Sequence, residues 1–288
     1  MDYFIHLAIL VSIYSILSLS LNALAGYTGL ISIATSAFMG IGAYSVAIML
    51  TKFDLNFFLA LSLAMIIVGI IAFLVDLAFS RLRGDYFTLG SMGIVVITSG
   101  IFINWQSVTN GPAGIANIPR PNLFGFELSE NWQFLCLSIF LLILTYLVCE
   151  WISNSSFGRV LRAIREDEKA IEVFGYKTSK YKLAIFTISS ALAAMAGGLF
   201  ATYAMYISPD SFIVSESILV ITMIILGGLA NNRGAILGSI LLVTLPELLR
   251  FVGLPSSIAA DFNHVIYGLI LILLMMYRPQ GFLGEYRI

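Results

Sequence analysis

Apolar runs of about twenty residues recur along almost the whole chain, and that length matches the hydrocarbon core of a bilayer crossed by one helix. Such runs lie near 3–25, 30–51, 56–80, 86–104, 131–152, 181–206, 214–230, 234–252 and 261–277. The fold class they predict is all-α: a polytopic membrane protein of about nine transmembrane helices, forming a single transmembrane domain over 1–288. The count runs from eight to ten because the joint Gly26-Tyr27-Thr28-Gly29 is very short. The residues after it (Ser32, Thr35, Ser36, Gly40, Gly42) suit a broken or re-entrant helix as well as a regular one. Composition agrees with this class. The 288 residues are 59% hydrophobic and 11% charged, with a mean hydropathy of +0.97, against about 25% charged in a soluble domain. Met1-Asp2-Tyr3 lacks the basic region of a signal peptide, so the first run is expected to stay as a span.

One long polar stretch interrupts the pattern. Ser155 to Lys182 holds seven of the fifteen Lys and Arg residues: Arg159, Arg162, Arg165, Lys169, Lys177, Lys180 and Lys182. At about 100° per residue, Val160, Ala163, Ile164, Ala170, Ile171 and Phe174 fall within an arc of roughly 120°. Arg162, Arg165, Glu166, Lys169 and Glu172 lie on the other side, and Asp167 is the one charge inside the arc. The spacing predicts one amphipathic helix over 159–175, with Gly175 as its stop. Two readings fit. Either the loop only satisfies the positive-inside rule, or its apolar stripe seats against a cytosolic partner.

GRVLRAIREDEKAIEVFGYKTSKYK resembles the cytosolic loop of the branched-chain amino acid permeases of ABC importers. The resemblance continues in AGYTGLISIATSAFMGIGAYSVA (25–47), RLRGDYFTLGSMG (81–93) and NGPAGI (110–115). It resumes in ISPDSFIVSESILVITMIILGGL (207–229), LPELLR (245–250) and YRPQGFLG (277–284), so it covers nearly the whole chain in order. It is to the M-type permease of that transporter pair. The resemblance implies a coupling helix in a cytosolic loop over 153–182, docked on an ATPase. The candidate ATPase-coupling residues are Arg159, Arg162, Ile164, Arg165, Glu166, Glu168, Ile171, Glu172, Phe174 and Gly175. The implied partners are a second, H-type permease, two cytosolic ABC ATPase subunits and a periplasmic or extracellular binding protein that meets the external loop over 105–131. Membrane lipid surrounds the chain and no nucleic acid is expected. The implied substrate is leucine, isoleucine or valine, with urea or a short amide as the alternative, and the implied location is the bacterial inner membrane. A self-sufficient secondary carrier or channel is the reading from another class.

Catalytic chemistry has no foothold in the motifs. GxxxxGK[ST], HExxH, CxxC and GxSxG are all absent from the sequence. The expectation is a transport subunit that is not an enzyme, has no catalytic or metal residues and binds no cofactor, ATP being used by its partners. Cys136 and Cys149 stand thirteen residues apart, roughly 20 Å along a helix, too far to pair. His6 and His264 read as interfacial residues near outer ends of spans.

Ionisable residues within spans are few. Asp76 lies near Arg81 and Arg83, Glu216 begins a span, and Glu247 precedes Arg250 by three. The possible substrate path is polar and neutral: Asn22, Thr35, Ser36, Ser91, Thr98 and Asn104. Each of these could instead hold helices together at about 0.6–2 kcal/mol per hydrogen bond. Small residues at four-residue spacing, Ser189-Ala193-Gly197-Ala201 and Ser190-Ala194-Gly198-Thr202, and the pair Gly234 and Gly238, suggest close packing within this chain. An interface with a second permease is the other reading.

Orientation follows from the basic residues. With 155–182 in the cytosol, Arg81, Arg83, Arg233, Arg278 and Arg287 also fall inside. The split is then twelve (seven plus five) inside against Lys52, Arg120 and Arg250 outside. The N-terminus is expected outside and the C-terminus in the cytosol. Labelling with a membrane-impermeant thiol reagent checks this: Asn117→Cys reacts in intact cells, and Lys177→Cys only after lysis.

Overall fold

The computed structural model describes residues 2–79, 84–123, 126–127, 130–250, 268–269, 276 and 281–283. Helix α1 (Asp2–Leu21) continues into one π-helical turn, Asn22–Gly26. Then follow α2 (Thr35–Lys52), α3 (Phe57–Phe79), α4 (Asp85–Asn104), the short α5 (Gln106–Thr109) and α6 (Asn131–Asn154). Two short helices come next, α7 (Ser156–Glu166) and α8 (Glu168–Val173). They lead to α9 (Thr178–Ala204), α10 (Val214–Gly227) and α11 (Asn232–Arg250).

The expected all-α class holds. Six helical segments among the described residues are long and apolar enough to cross a membrane: Asp2–Gly26, Phe57–Phe79, Asp85–Asn104, Asn131–Asn154, Thr178–Ala204 and Pro209–Gly227. The runs near 30–51 and 234–252 are also helical, as α2 and α11, but fall short of that criterion. The run 261–277 lies largely outside the described residues, as do Arg81, Arg83, His264, Arg278, Arg287 and the side chains of Glu247 and Arg250.

α1, α2 and α9 form the centre. Two thirds (67%) of the most apolar stretch of α9 is buried, against 28% for α4. α3 packs against α2 and α9, α6 against α1, and the α10–α11 pair against the remaining side of α1. The buried residues of α4 form a single stripe, Phe87, Ser91, Val95, Thr98 and Phe102, about one residue per turn. In lipid the hydrophobic effect does not draw helices together, so contact depends on close backbone approach. The α9 small-residue rows supply it inside this chain. A Cβ on Gly197 would stand 1.9 Å from the Met39 carbonyl oxygen, and one on Gly238 equally close to that of Met223.

The polar stretch departs from the sequence expectation. The single helix over 159–175 is two helices, α7 and α8, broken at Asp167, which is extended (φ −153°, ψ 99°). The Asp167 carboxylate accepts from the Ala170 amide at 3.1 Å and so caps α8. The one charge inside the apolar arc is therefore a helix start. Gly175 does end the element, in the left-handed region at φ +88°.

At the opposite end, Ile115–Ala116 pairs antiparallel with Tyr206–Ile207, stitching the loop after α5 to the end of α9. A second two-residue pair joins Asn122–Leu123 to Phe126–Glu127. Trp105 and Trp132 are exposed on this side, as suits interfacial residues.

Gly197→Ala should force α2 and α9 apart and cost about 1–3 kcal/mol or more. Gly93→Ala, where a Cβ meets nothing within 4 Å, should be neutral or gain up to about 1 kcal/mol of helix propensity. Melting temperatures of the two variants in detergent measure the difference.

Candidate functional site

Helix α2 does not start at the membrane edge. Thr35 borders a cavity of about 10 Å³ with Ser32, Ser189 and Ser190. The last two lie eleven and twelve residues into α9, so roughly 16 Å along its axis. Residues 29–34 therefore run inside the bundle without regular structure, and every polar backbone group there needs a partner. Side chains supply several. The Ile33 amide donates to the Ser91 hydroxyl at 2.8 Å and the Ser36 amide to Ser217 at 3.0 Å. Leu30 and Ala34 donate to Thr28 and Ser32, and the Thr88 hydroxyl donates to the Ile31 carbonyl at 3.0 Å. The 10 Å³ cavity has the size of a single water. Of the two readings the sequence left open for the second span, the structure shows the irregular one, with α2 starting only at Thr35.

The possible path residues divide accordingly. Thr35, Ser36 and Ser91 gather at the break. Thr98 is buried further along α4. Asn22 and Asn104 lie at opposite ends of the bundle. The Asn104 side chain donates back to the Gly100 carbonyl and is exposed. Asn22 is fully buried in a hydrogen-bond network at the α7–α8 end.

That network was not legible in the sequence. The Asn22 amide oxygen accepts from the Ala230 backbone at 3.0 Å, and its nitrogen donates to Asn232 Oδ1 at 3.2 Å. Tyr27 donates to the same oxygen at 3.0 Å, and Asn232 Nδ2 donates to Glu150 at 3.0 Å. Burial pushes the Tyr27 hydroxyl up to about 12, so it remains a neutral donor. Together these contacts fix the π turn of α1, the end of α6 and the turn between α10 and α11. A polar cleft of about 280 Å³ opens beside them, edged by Ser153, Asn154, Arg162 and Arg233.

Among the candidate coupling residues, the structure separates inward from outward positions. Ile164 is buried beneath α7 by this chain itself, as is Leu161, which is not among the candidates. Arg162 and Arg165 also turn inward, contrary to the expectation that they lie on the exposed face. The Arg162 guanidinium stands 5.9 Å from the Tyr27 ring centroid and donates to the Ser153 carbonyl. Arg165 donates to the Gly26 carbonyl. Glu168 pairs with Lys182 at 2.6 Å, and the Thr178 hydroxyl donates to Glu168 and Glu172. Arg159 and Glu166 are exposed. So is Phe174 (77%), with its neighbour Val173 (86%). Ile171 lines a groove of about 370 Å³ between α7 and α8, with Val160 and Ala163.

At the far end, Tyr44 stacks on Phe102 with ring centroids 4.2 Å apart, and Phe212 packs edge-on to both. Among the described residues, the buried Tyr44 hydroxyl has no hydrogen-bond partner. His6 stacks on Tyr203 and bonds its hydroxyl, and Tyr14 donates to Glu216. Among the described residues no cluster of His, Cys, Asp and Glu is arranged to hold a metal ion.

A multi-spanning helical bundle, with an irregular segment before its central helix α2 and a polar helix pair fastened to one end, has the build of a membrane permease. Residues 3–275 match the family described as "Branched-chain amino acid transport system / permease component", and the chain belongs to that family. It is 34% identical over 305 residues to the high-affinity branched-chain amino acid transport system permease protein LivM of Escherichia coli K12, covering 97% of this chain and 69% of that protein. It is 28% identical to the probable branched-chain amino acid transport permease protein LivM of Methanocaldococcus jannaschii, covering 95% and 91%. To the permease protein LivH of Salmonella typhimurium it is 28% identical over 67% of this chain and 63% of that one. No solved structure matches the chain.

Asn232→Ala would leave the buried Asn22 and Tyr27 donors without their acceptor, at a cost of about 1–3 kcal/mol. Asn154→Ala, at the exposed edge of the same cleft, should change stability little. Thermal unfolding in detergent distinguishes the two.

Proposed function

We propose that this chain is the M-type permease subunit of an ATP-driven importer of leucine, isoleucine and valine in a bacterial inner membrane. It forms the translocation path with an H-type permease, receives substrate from an external binding protein at the loop over 105–131, and docks two cytosolic ATPases. It binds no cofactor and hydrolyses no ATP itself. Nine spans, with the N-terminus outside and the C-terminus in the cytosol, complete the topology.

Family membership carries the permease role, and the names of the relatives support both the substrate and the second permease. The orientation is supported by charge. Of the described Lys and Arg residues, Lys52 and Arg120 belong to one end, and all seven of the 155–182 stretch, with Arg233, to the other.

The ATPase contact is supported by Val173 and Phe174. They are large apolar side chains on a polar element beyond the membrane-spanning helices, and they stand out beside the open groove holding Ile171. Docking them would contribute roughly 1.5–3 kcal/mol each. The exposed cation Lys169 would contribute about 0–1 kcal/mol. ATP binding by the partners then shifts the bundle between outward- and inward-open states.

Phe174→Asp should abolish ATP-dependent uptake of labelled leucine by the reconstituted complex while leaving membrane insertion intact. Lys169→Ala should transport close to normal. Normal uptake by Phe174→Asp would remove α8 from the ATPase contact, and uptake of urea in place of leucine would reassign the substrate.

A further inference from the structure

We propose that Arg165 is a positioning residue through which movement of α7 reaches helix α2. This rests on the proposed docking of the α7–α8 pair on an ATPase.

Gly26 is the last residue of the π turn that ends α1. Its carbonyl is among those a helix terminus leaves without an intrahelical partner. Continued as an α-helix, it would accept from the Leu30 amide, but that amide donates to the Thr28 hydroxyl instead. The Arg165 guanidinium takes the vacated place. A cation from the polar element thus caps the C-terminal, partly negative end of a membrane helix. The contact is packed as well as charged, because a Cβ on Gly29 would lie 3.2 Å from Arg165 Cγ.

Beyond Gly26 and Gly29 the chain runs through 30–34 directly into α2. The same segment is tied to α4 by the Ser91 and Thr88 hydroxyls. α4 is the membrane-crossing segment with the smallest share of its apolar stretch buried. α8 is fastened elsewhere, to the start of α9 through Glu168, Thr178 and Lys182. α7 also meets α9, with Phe157 stacked on Tyr181, but its other attachment, through Arg165, leads to the break. A displaced α7 pulls on Gly26 and Gly29 through Arg165, and the segment passes the motion to α2 and α4. Arg162, against the Tyr27 ring, adjoins this attachment.

The test replaces the contact with a reversible covalent one. Arg165→Cys combined with Gly29→Cys, in a chain whose Cys136 and Cys149 are changed to Ser, is reconstituted with its partner subunits. Leucine uptake and ATP hydrolysis are measured on the same sample, reduced and oxidised. Reduced, the complex should stay assembled and hydrolyse ATP while uptake falls roughly tenfold; disulfide formation should restore uptake. The reduced and oxidised forms share one folded protein, so their difference reports the contact. Full uptake in the reduced form would overturn the inference. So would loss of ATPase subunits from the reduced complex, which would make Arg165 a docking residue, or failure of the formed disulfide to restore uptake. A wild-type complex with no ATP-driven leucine uptake would count against the proposed function itself.

Discussion

Inside a bilayer a backbone amide or carbonyl that leaves a helix must find another partner, and residues 27–34 are organised around that requirement. Hydroxyls of Thr28, Ser32, Ser91 and Ser217 accept the amides, Thr88 donates to a carbonyl, and Arg165 serves the carbonyl at the end of α1. Those partners come from α4, α7 and α10 as well as from the segment itself. The break in the second span is thus held jointly by three other helices. Each of them constrains where α2 begins.

This has a mechanical consequence. Helices α2 and α9 approach so closely, with glycine against carbonyl, that they resist independent sliding. The irregular segment is where φ and ψ can change without breaking helical hydrogen bonds. α4, held by one stripe of residues, has fewer contacts to lose. At the opposite end the aromatic group of Tyr44, Phe102 and Phe212 packs tightly.

Much of the site's residue list was readable from polarity, but its division of labour was not. Ser36 and Ser91 read as path residues because they are neutral and polar, yet the Ser91 hydroxyl holds the Ile33 amide, and the Ser36 hydroxyl accepts from Ser217, which itself holds the Ser36 amide. Asn22 reads the same way, and it locks the π turn to the turn between α10 and α11. A polar residue in lipid announces that it has a partner. Its type says nothing of whether that partner is a solute, an amide or another helix.

The sequence by itself determined the membrane class, the positions of eight helices, the basic end of the molecule and the family. Each of these depends on summed hydropathy or charge over many residues, and a sum survives local irregularity. Only the tertiary structure decided that 159–175 breaks at Asp167, since one carboxylate capping one amide outweighs the helical periodicity over a single residue. Only it turned Arg162 and Arg165 inward. On a helical wheel they fall opposite the apolar stripe, which for an isolated helix means water. Here the other side of α7 faces the open end of α1, where a carbonyl oxygen and a tyrosine ring replace water as partners for the two cations.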